Sequence, residues 1–140
     1  MIVKNEIFFD FIIEEINQGR EVLINVKGNS MLPFLKDGQR IALSPIKSSN
    51  IKLGDVVLAK WNNKYILHRV VSKNSFQVSL AGDNNLSLVE KTGMENIIAK
   101  LKGTFNTNNK FNSYTTFDRI LGLLWYLTRI PRIIINKIKL

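Results

Sequence analysis

Gly28-Asn29-Ser30-Met31-Leu32-Pro33 lies between two strand-like runs and has a composition that a plain connecting loop does not need. Glycine lets a backbone turn sharply or lets another chain come close. Pro33 fixes its own φ and gives up its N–H. Between them Ser30 displays one hydroxyl on a stiff turn, which suits a nucleophile held in one place. A Gly-x-Ser triplet alone reads as a β-turn. The Met-x-Pro that follows it, and two segments further on, give it more weight.

Working outward, the flanks are strands. Residues 21–27 alternate, with Val22, Ile24 and Val26 on one face and Glu21, Asn25 and Lys27 on the other. Lys36-Asp37-Gly38 is a turn signal, and Arg40–Leu43 a second strand ended by Pro45. Residues 46–53 form a polar connection into the Leu53-Gly54-Asp55 turn. Val56–Trp61 and Tyr65–Val71 are strands joined through Asn62-Asn63, a hairpin signal. Ser75–Ala81 and Ile97–Leu101 complete the set. Upstream, residues 5–18 predict an amphipathic helix. Ile7, Phe8, Phe11, Ile12 and Ile16 form its apolar side, Asn5 its cap and Gly19 its stop. Residues 104–116, rich in Asn and Thr, read as a linker or long loop. Phe117–Ile130 is helical, broken or kinked by Pro131.

Composition bounds the chemistry. A chain of 140 residues fits one domain and can bury a sizeable core. It has no cysteine, which excludes disulfides, a thiol nucleophile and a Cys-ligated zinc site. A single histidine argues against a multi-histidine metal site, and no cofactor is expected. The formal net charge of +9 is uneven. Residues 1–21 set Lys4 and Arg20 against Glu6, Asp10, Glu14, Glu15 and Glu21. Residues 111–140 set Arg119, Arg129, Arg132, Lys137 and Lys139 against Asp118 alone. The remaining excess is scattered as single lysines and forms no basic stripe interleaved with aromatics, so no nucleic-acid partner is expected. Acidic residues interrupt the N-terminal apolar positions, unlike a signal peptide. No apolar run approaches the roughly 18 residues of a membrane span. The body is expected to stay where it is made, in the cytoplasm.

The second segment is Tyr65-Ile66-Leu67-His68-Arg69-Val70-Val71. His68 follows Ser30 by 38 residues and shares a strand face with Ile66 and Val70. Apolar neighbours favour neutral imidazole, the form a general base needs. The third is Ala81-Gly82-Asp83-Asn84-Asn85. Alone it is a turn; beside the other two, its Asp83 is a carboxylate that can fix the imidazole tautomer and stabilise the imidazolium.

These segments in this order, with Gly54-Asp55-Val56-Val57 between them, resemble signal peptidase I and the clan that also holds the LexA-type self-cleaving repressors. The resemblance covers roughly residues 22 to 103. His68-Arg69-Val70 and the downstream Gly-Asp-Asn are similar to the serine–histidine branch found in the endoplasmic reticulum, archaea and some Gram-positive bacteria. The resemblance implies a mainly β, twisted-sheet fold with an N-terminal amphipathic helix and a C-terminal helix. Residues 1–103 would be its catalytic domain, 104–116 the linker and 117–140 a basic apolar helical segment. It implies Ser30 as nucleophile, His68 as general base then acid, and Asp83 as orienting carboxylate. Gly28, Asn29 and Met31 would serve the substrate or the oxyanion. The substrate would be a peptide or preprotein taken in extended form along a strand edge.

The chain departs from that branch at three places. Its N-terminal helix is amphipathic where signal peptidases carry a membrane helix. Gly28 stands where many members have a hydroxyl, leaving the oxyanion to backbone N–H groups such as that of Ser30, with Asn29 as helper. Members often have a further aspartate after Gly-Asp-Asn; here Glu90 is the nearest carboxylate. Two function classes stay open: a serine endopeptidase, and a non-catalytic or self-processing relative that binds peptide. Only about 20 residues precede the strand leading to Ser30, fewer than a DNA-binding domain takes, and LexA-type members use lysine where this chain has His68. Two readings of residues 117–140 also stay open. One packs them on the β body or on a second copy. The other lays them in an anionic membrane interface with Trp125 and Tyr126 at headgroup level.

Overall fold

A computed structural model describes residues 2–46 and 50–138, and the side chains of residues 8 onward within that span. Lys47–Ser49 of the polar connection, the Ile7 side chain of the helix and Lys139 lie outside the described residues. One antiparallel sheet dominates. Its strands are β1 (Val22–Asn25), β2 (Arg40–Ser44), β3 (Val56–Trp61), β4 (Lys64–Lys73), β5 (Gln77–Ala81), β6 (Glu90–Gly93), β7 (Ile97–Phe105) and β8 (Phe111–Ser113). The spatial order is β1-β2-β7-β3-β4-β5-β6, with β8 pairing β7. Helix α1 (Ile2–Asn17) precedes the sheet; α2 (Thr116–Leu127) and α3 (Arg129–Ile138) follow it. The expected class holds: mainly β, with helix at each end.

Local chemistry accounts for most of the elements. Asn62 and Asn63 both take positive φ, 48° and 60°, the primed turn that matches the twist of a two-residue hairpin. Alternation puts successive residues of β3 on opposite faces, so the sheet has a core on each side. Val56 and Leu58 join Ile12, Ile16, Met31, Leu35 and Leu43 on one side. Val57 and Ala59 join Val70, Val78 and Leu80 on the other. Each fully buried aliphatic side chain contributes about 1.5–3 kcal/mol.

Four readings change. The apolar seam of α1 is Ile12 and Ile16, with Phe9 stacked on Tyr65; Phe11, expected on that face, is 61% exposed. The segment 104–116 holds β8, which extends the sheet through Gly103↔Ser113 and Phe105↔Phe111. Strand β6 has the sequence Glu-Lys-Thr-Gly, too short and polar to show apolar alternation, and the sequence reading passes over it. The C-terminal helix breaks at Thr128, before Pro131. Pro131 sits in the first turn of α3, where no intrahelical N–H bond is lost. Helix α2 starts with a reciprocal capping box between Thr115 and Asp118.

Candidate active site

The Ser30 turn hangs from β1 by a few short bonds. Val26 and Gln39 pair across its base, and the Gly28 N–H donates to Asp37 Oδ1 at 2.7 Å. Beyond Ser30 the chain makes one tight turn, in which the N–H groups of Phe34 and Leu35 donate to the Met31 carbonyl. Met31 and Leu35 are buried in the core, while Ser30 itself is exposed. A buried side chain immediately after an exposed hydroxyl anchors that hydroxyl without covering it.

Strand β4 brings His68 to this turn. Its Nε2 lies 3.3 Å from Ser30 Oγ, and its Nδ1 lies 3.0 Å from Glu90 Oε1 on β6. Both His68 and Glu90 are buried. A carboxylate at Nδ1 requires the proton on that nitrogen, which leaves Nε2 free to accept from the hydroxyl. Ser30, His68 and Glu90 thus form a continuous hydroxyl–imidazole–carboxylate chain.

Asp83 was the carboxylate expected at His68, and the structure assigns it elsewhere. Its two oxygens accept from Arg69 Nε and Nη2, each at 2.8 Å, in a fork-to-fork pair. Strand faces explain the exchange. His68 and Arg69 are adjacent on β4 and point to opposite faces. Arg69 pairs with Ala81, and Asp83 lies two residues beyond on the same side. Val70, two residues after His68, pairs with Leu80, and Leu80 pairs with Glu90. Directly opposed residues share a face, so the register delivers Glu90 to the imidazole and Asp83 to the guanidinium.

Burial works to raise the Asp83 carboxyl, against the pull of Arg69, His68 and Arg132. Burial also disfavours the Arg69 cation, but the bond and charge of Asp83 hold it above its ordinary value. A guanidinium keeps its proton in proteins, so the two groups stand as a buried ion pair. Arg69 also donates to the Gly54 carbonyl at 2.8 Å and to the Tyr114 hydroxyl. It lies over the Phe34 ring, 5.2 Å from its centroid.

The Gly82-Asp83-Asn84-Asn85 loop has a positioning task instead. The Asn84 N–H donates to the Ser30 carbonyl at 2.9 Å, and Asn84 Nδ2 to the Asn29 carbonyl at 3.1 Å. A Cβ on Gly82 would lie 2.8 Å from the Ser30 carbonyl oxygen and 3.0 Å from His68 Nε2. Only glycine lets the loop back this closely onto both groups. The loop is gripped in turn by the C-terminal helices. Trp125 Nε1 and Arg132 Nη1 both donate to the Asp83 carbonyl, at 2.7 and 3.1 Å. Of the two readings open for residues 117–140, Trp125 follows the one that packs the segment on the β body: it turns inward rather than toward a headgroup layer. Gly122 of α2 packs on Arg69, where a Cβ would meet Cζ at 1.9 Å.

A cleft of about 480 Å³ opens beside Ser30 and His68. Phe9, Ile24, Val26, Met31, Tyr65 and Leu67 line it, so Met31 lies in its floor. Strand β4 pairs with β5 only from Arg69 onward. The second edge of Tyr65–His68 has no strand partner among the described residues. Gly28, by contrast, has its N–H committed to Asp37, and the Asn29 carbonyl is held by Asn84.

No curated protein matches this chain. A family model described as Peptidase S24-like matches residues 3–100, a span that holds Ser30, His68, Asp83 and Glu90. With that match over most of its length, the chain is a serine-peptidase-like or LexA-type relative and belongs to the Peptidase S24-like family.

Proposed function

We propose that the protein is a serine endopeptidase of signal peptidase-like type, acting on extended peptides through an acyl-enzyme. The observation that carries this reading is the Ser30–His68–Glu90 chain, with both ring nitrogens of His68 engaged at hydrogen-bond distance. His68 Nε2 takes the Ser30 proton as Oγ attacks the scissile carbonyl carbon. Glu90 holds the Nδ1 proton and stabilises the imidazolium. The tetrahedral oxyanion is met by backbone N–H, that of Ser30 first, since the N–H of Gly28 is already spent on Asp37. The imidazolium then protonates the leaving amine, and water repeats the sequence on the ester.

The cleft supports the extended substrate. Its walls are apolar, and the free edge of Tyr65–His68 can take a peptide as an added strand. That docking would run the peptide backbone directly past His68. A serine-reactive fluorophosphonate probe tests the reading. Labelling at Ser30 that is lost in His68→Ala supports the peptidase. Unlabelled Ser30 in well-folded protein would leave a peptide-binding module instead.

A further inference from the structure

The connection Gly82–Val89 between β5 and β6 carries two parts of the site. Asn84 holds the carbonyls of Ser30 and Asn29, and the segment runs into Glu90, the carboxylate at His68. Its backbone has little of its own to keep it in place. The Asn85 N–H donates to the Gly82 carbonyl, but among the described residues no backbone N–H reaches the carbonyls of Asp83, Leu86 or Leu88. A segment without ladder bonds opens locally unless side chains hold it.

Helices α2 and α3 take all three carbonyls. Trp125 and Arg132 share that of Asp83, and Arg129 donates through Nε to Leu86 at 3.0 Å and through Nη2 to Leu88 at 3.2 Å. The donors are themselves fixed. Arg132 lies over the Trp125 ring, 4.2 Å from its centroid, and Arg129 over the Tyr126 ring at 5.0 Å. Arg129 is only 8% exposed, and among the described residues no carboxylate pairs with it. A buried cation is costly unless its donors are met, so this fork is spent on the connection. Its planar donors bridge carbonyls two residues apart, which the point charge of an ammonium does not. Gly122 seats α2 on Arg69, next to His68 on β4, so the clamp is anchored on the strand that carries the imidazole.

We infer that α2 and α3 are a working part of the active site. Trp125, Arg129 and Arg132 are positioning residues: they clamp Gly82–Val89, and through it they set Glu90 on His68 and Asn84 on the Ser30 turn. The inference rests on the peptidase reading for its effect on rate, and not for the placement of Glu90.

The test uses two variants of the full chain. Arg129→Met removes the fork and keeps the stem; Trp125→Phe removes one N–H and keeps a ring against Phe34. Fluorophosphonate labelling of Ser30 is followed to saturation. The maximal rate falls by about tenfold or more in Arg129→Met, since a displacement of about 1 Å costs a reacting group on the order of a hundredfold. The half-saturating probe concentration stays as in the wild type, because Phe9, Ile24, Tyr65 and Leu67 of the cleft wall belong to α1, β1 and β4. The second readout needs no reactivity. His68 is the sole histidine, so its Nδ1 proton, held on a buried carboxylate, gives one proton resonance downfield of the amides. That resonance is present in the wild type and lost or broadened in both variants, while the amide spectrum of the sheet is kept. Wild-type rate and resonance in the folded variants overturn the inference, even at a lowered thermal midpoint, because the helices then serve stability alone. Absence of the resonance from the wild type overturns it too, since Glu90 is then not held. Should Arg129→Met fail to fold, Trp125→Phe decides by the same readouts. A wild type that shows the resonance but is not labelled fails the peptidase reading alone, and the resonance in the variants still decides the clamp.

Discussion

Replacing Glu90 by Gln keeps the shape of the side chain and removes its charge. In the folded protein Glu90 Oε1 sits 3.0 Å from His68 Nδ1, with both side chains under a tenth exposed, so neither water nor salt screens the contact. A hydrogen bond to a charged group is worth about 1.5–3 kcal/mol, and the imidazolium that forms as Ser30 attacks is the charged partner here. At about 1.4 kcal/mol for each factor of ten, Glu90→Gln slows acylation by roughly 10- to 150-fold. A Gln amide N–H turned toward Nδ1 would also favour the tautomer with its proton on Nε2, where it blocks the base. In serine proteases that error raises the loss to roughly 10⁴. The assay is the second-order rate of fluorophosphonate labelling at Ser30, measured with the thermal midpoint of the same protein. The expected result is a rate lower by ten-fold or more and a midpoint changed by only a few degrees. A wild-type labelling rate in folded Glu90→Gln would refute the role given to this carboxylate.

Asp83→Asn gives the complementary outcome. Breaking the fork to buried Arg69 costs about 3–5 kcal/mol, so the thermal midpoint falls by about 10 °C or more; a slowed rate at an unchanged midpoint would return Asp83 to the role of orienting carboxylate. Ser30→Ala and His68→Ala each remove hydrolysis of an extended-peptide library followed by mass spectrometry, and the double variant is no worse than either, because the two groups act as a unit. Gly82→Ala forces a methyl between the Ser30 carbonyl and His68 Nε2 and lowers labelling by ten-fold or more while circular dichroism still reports a folded sheet; an unchanged rate would show that the loop yields without moving the imidazole.

Local physics made much of this protein legible in its sequence. Alternating apolar residues predicted β1, because side chains on a strand face opposite ways, and short apolar runs set between turn signals predicted β2 to β5 and β7. Ser30 stood out because Gly28 and Pro33 constrain the chain around it, and His68 because it is the sole histidine, set on a predicted strand. The identity of the third member was not local. Asp83 follows a glycine in a conspicuous turn, whereas Glu90 ends an unremarkable Leu-Ser-Leu-Val-Glu run and begins a polar strand. Which carboxylate reaches the imidazole depends on the registers Arg69↔Ala81 and Leu80↔Glu90. Register is a property of two strands together; a slip of one residue would exchange the faces and the partners. The C-terminal helices follow the same division. Their amphipathic spacing and unbalanced positive charge are in the sequence. That Gly122 and Trp125 face Arg69 and Asp83, leaving the isoleucines outward, was decided by packing. Only one face of α2 has a glycine where the guanidinium must fit, and that contact sets the direction of every other side chain on the helix.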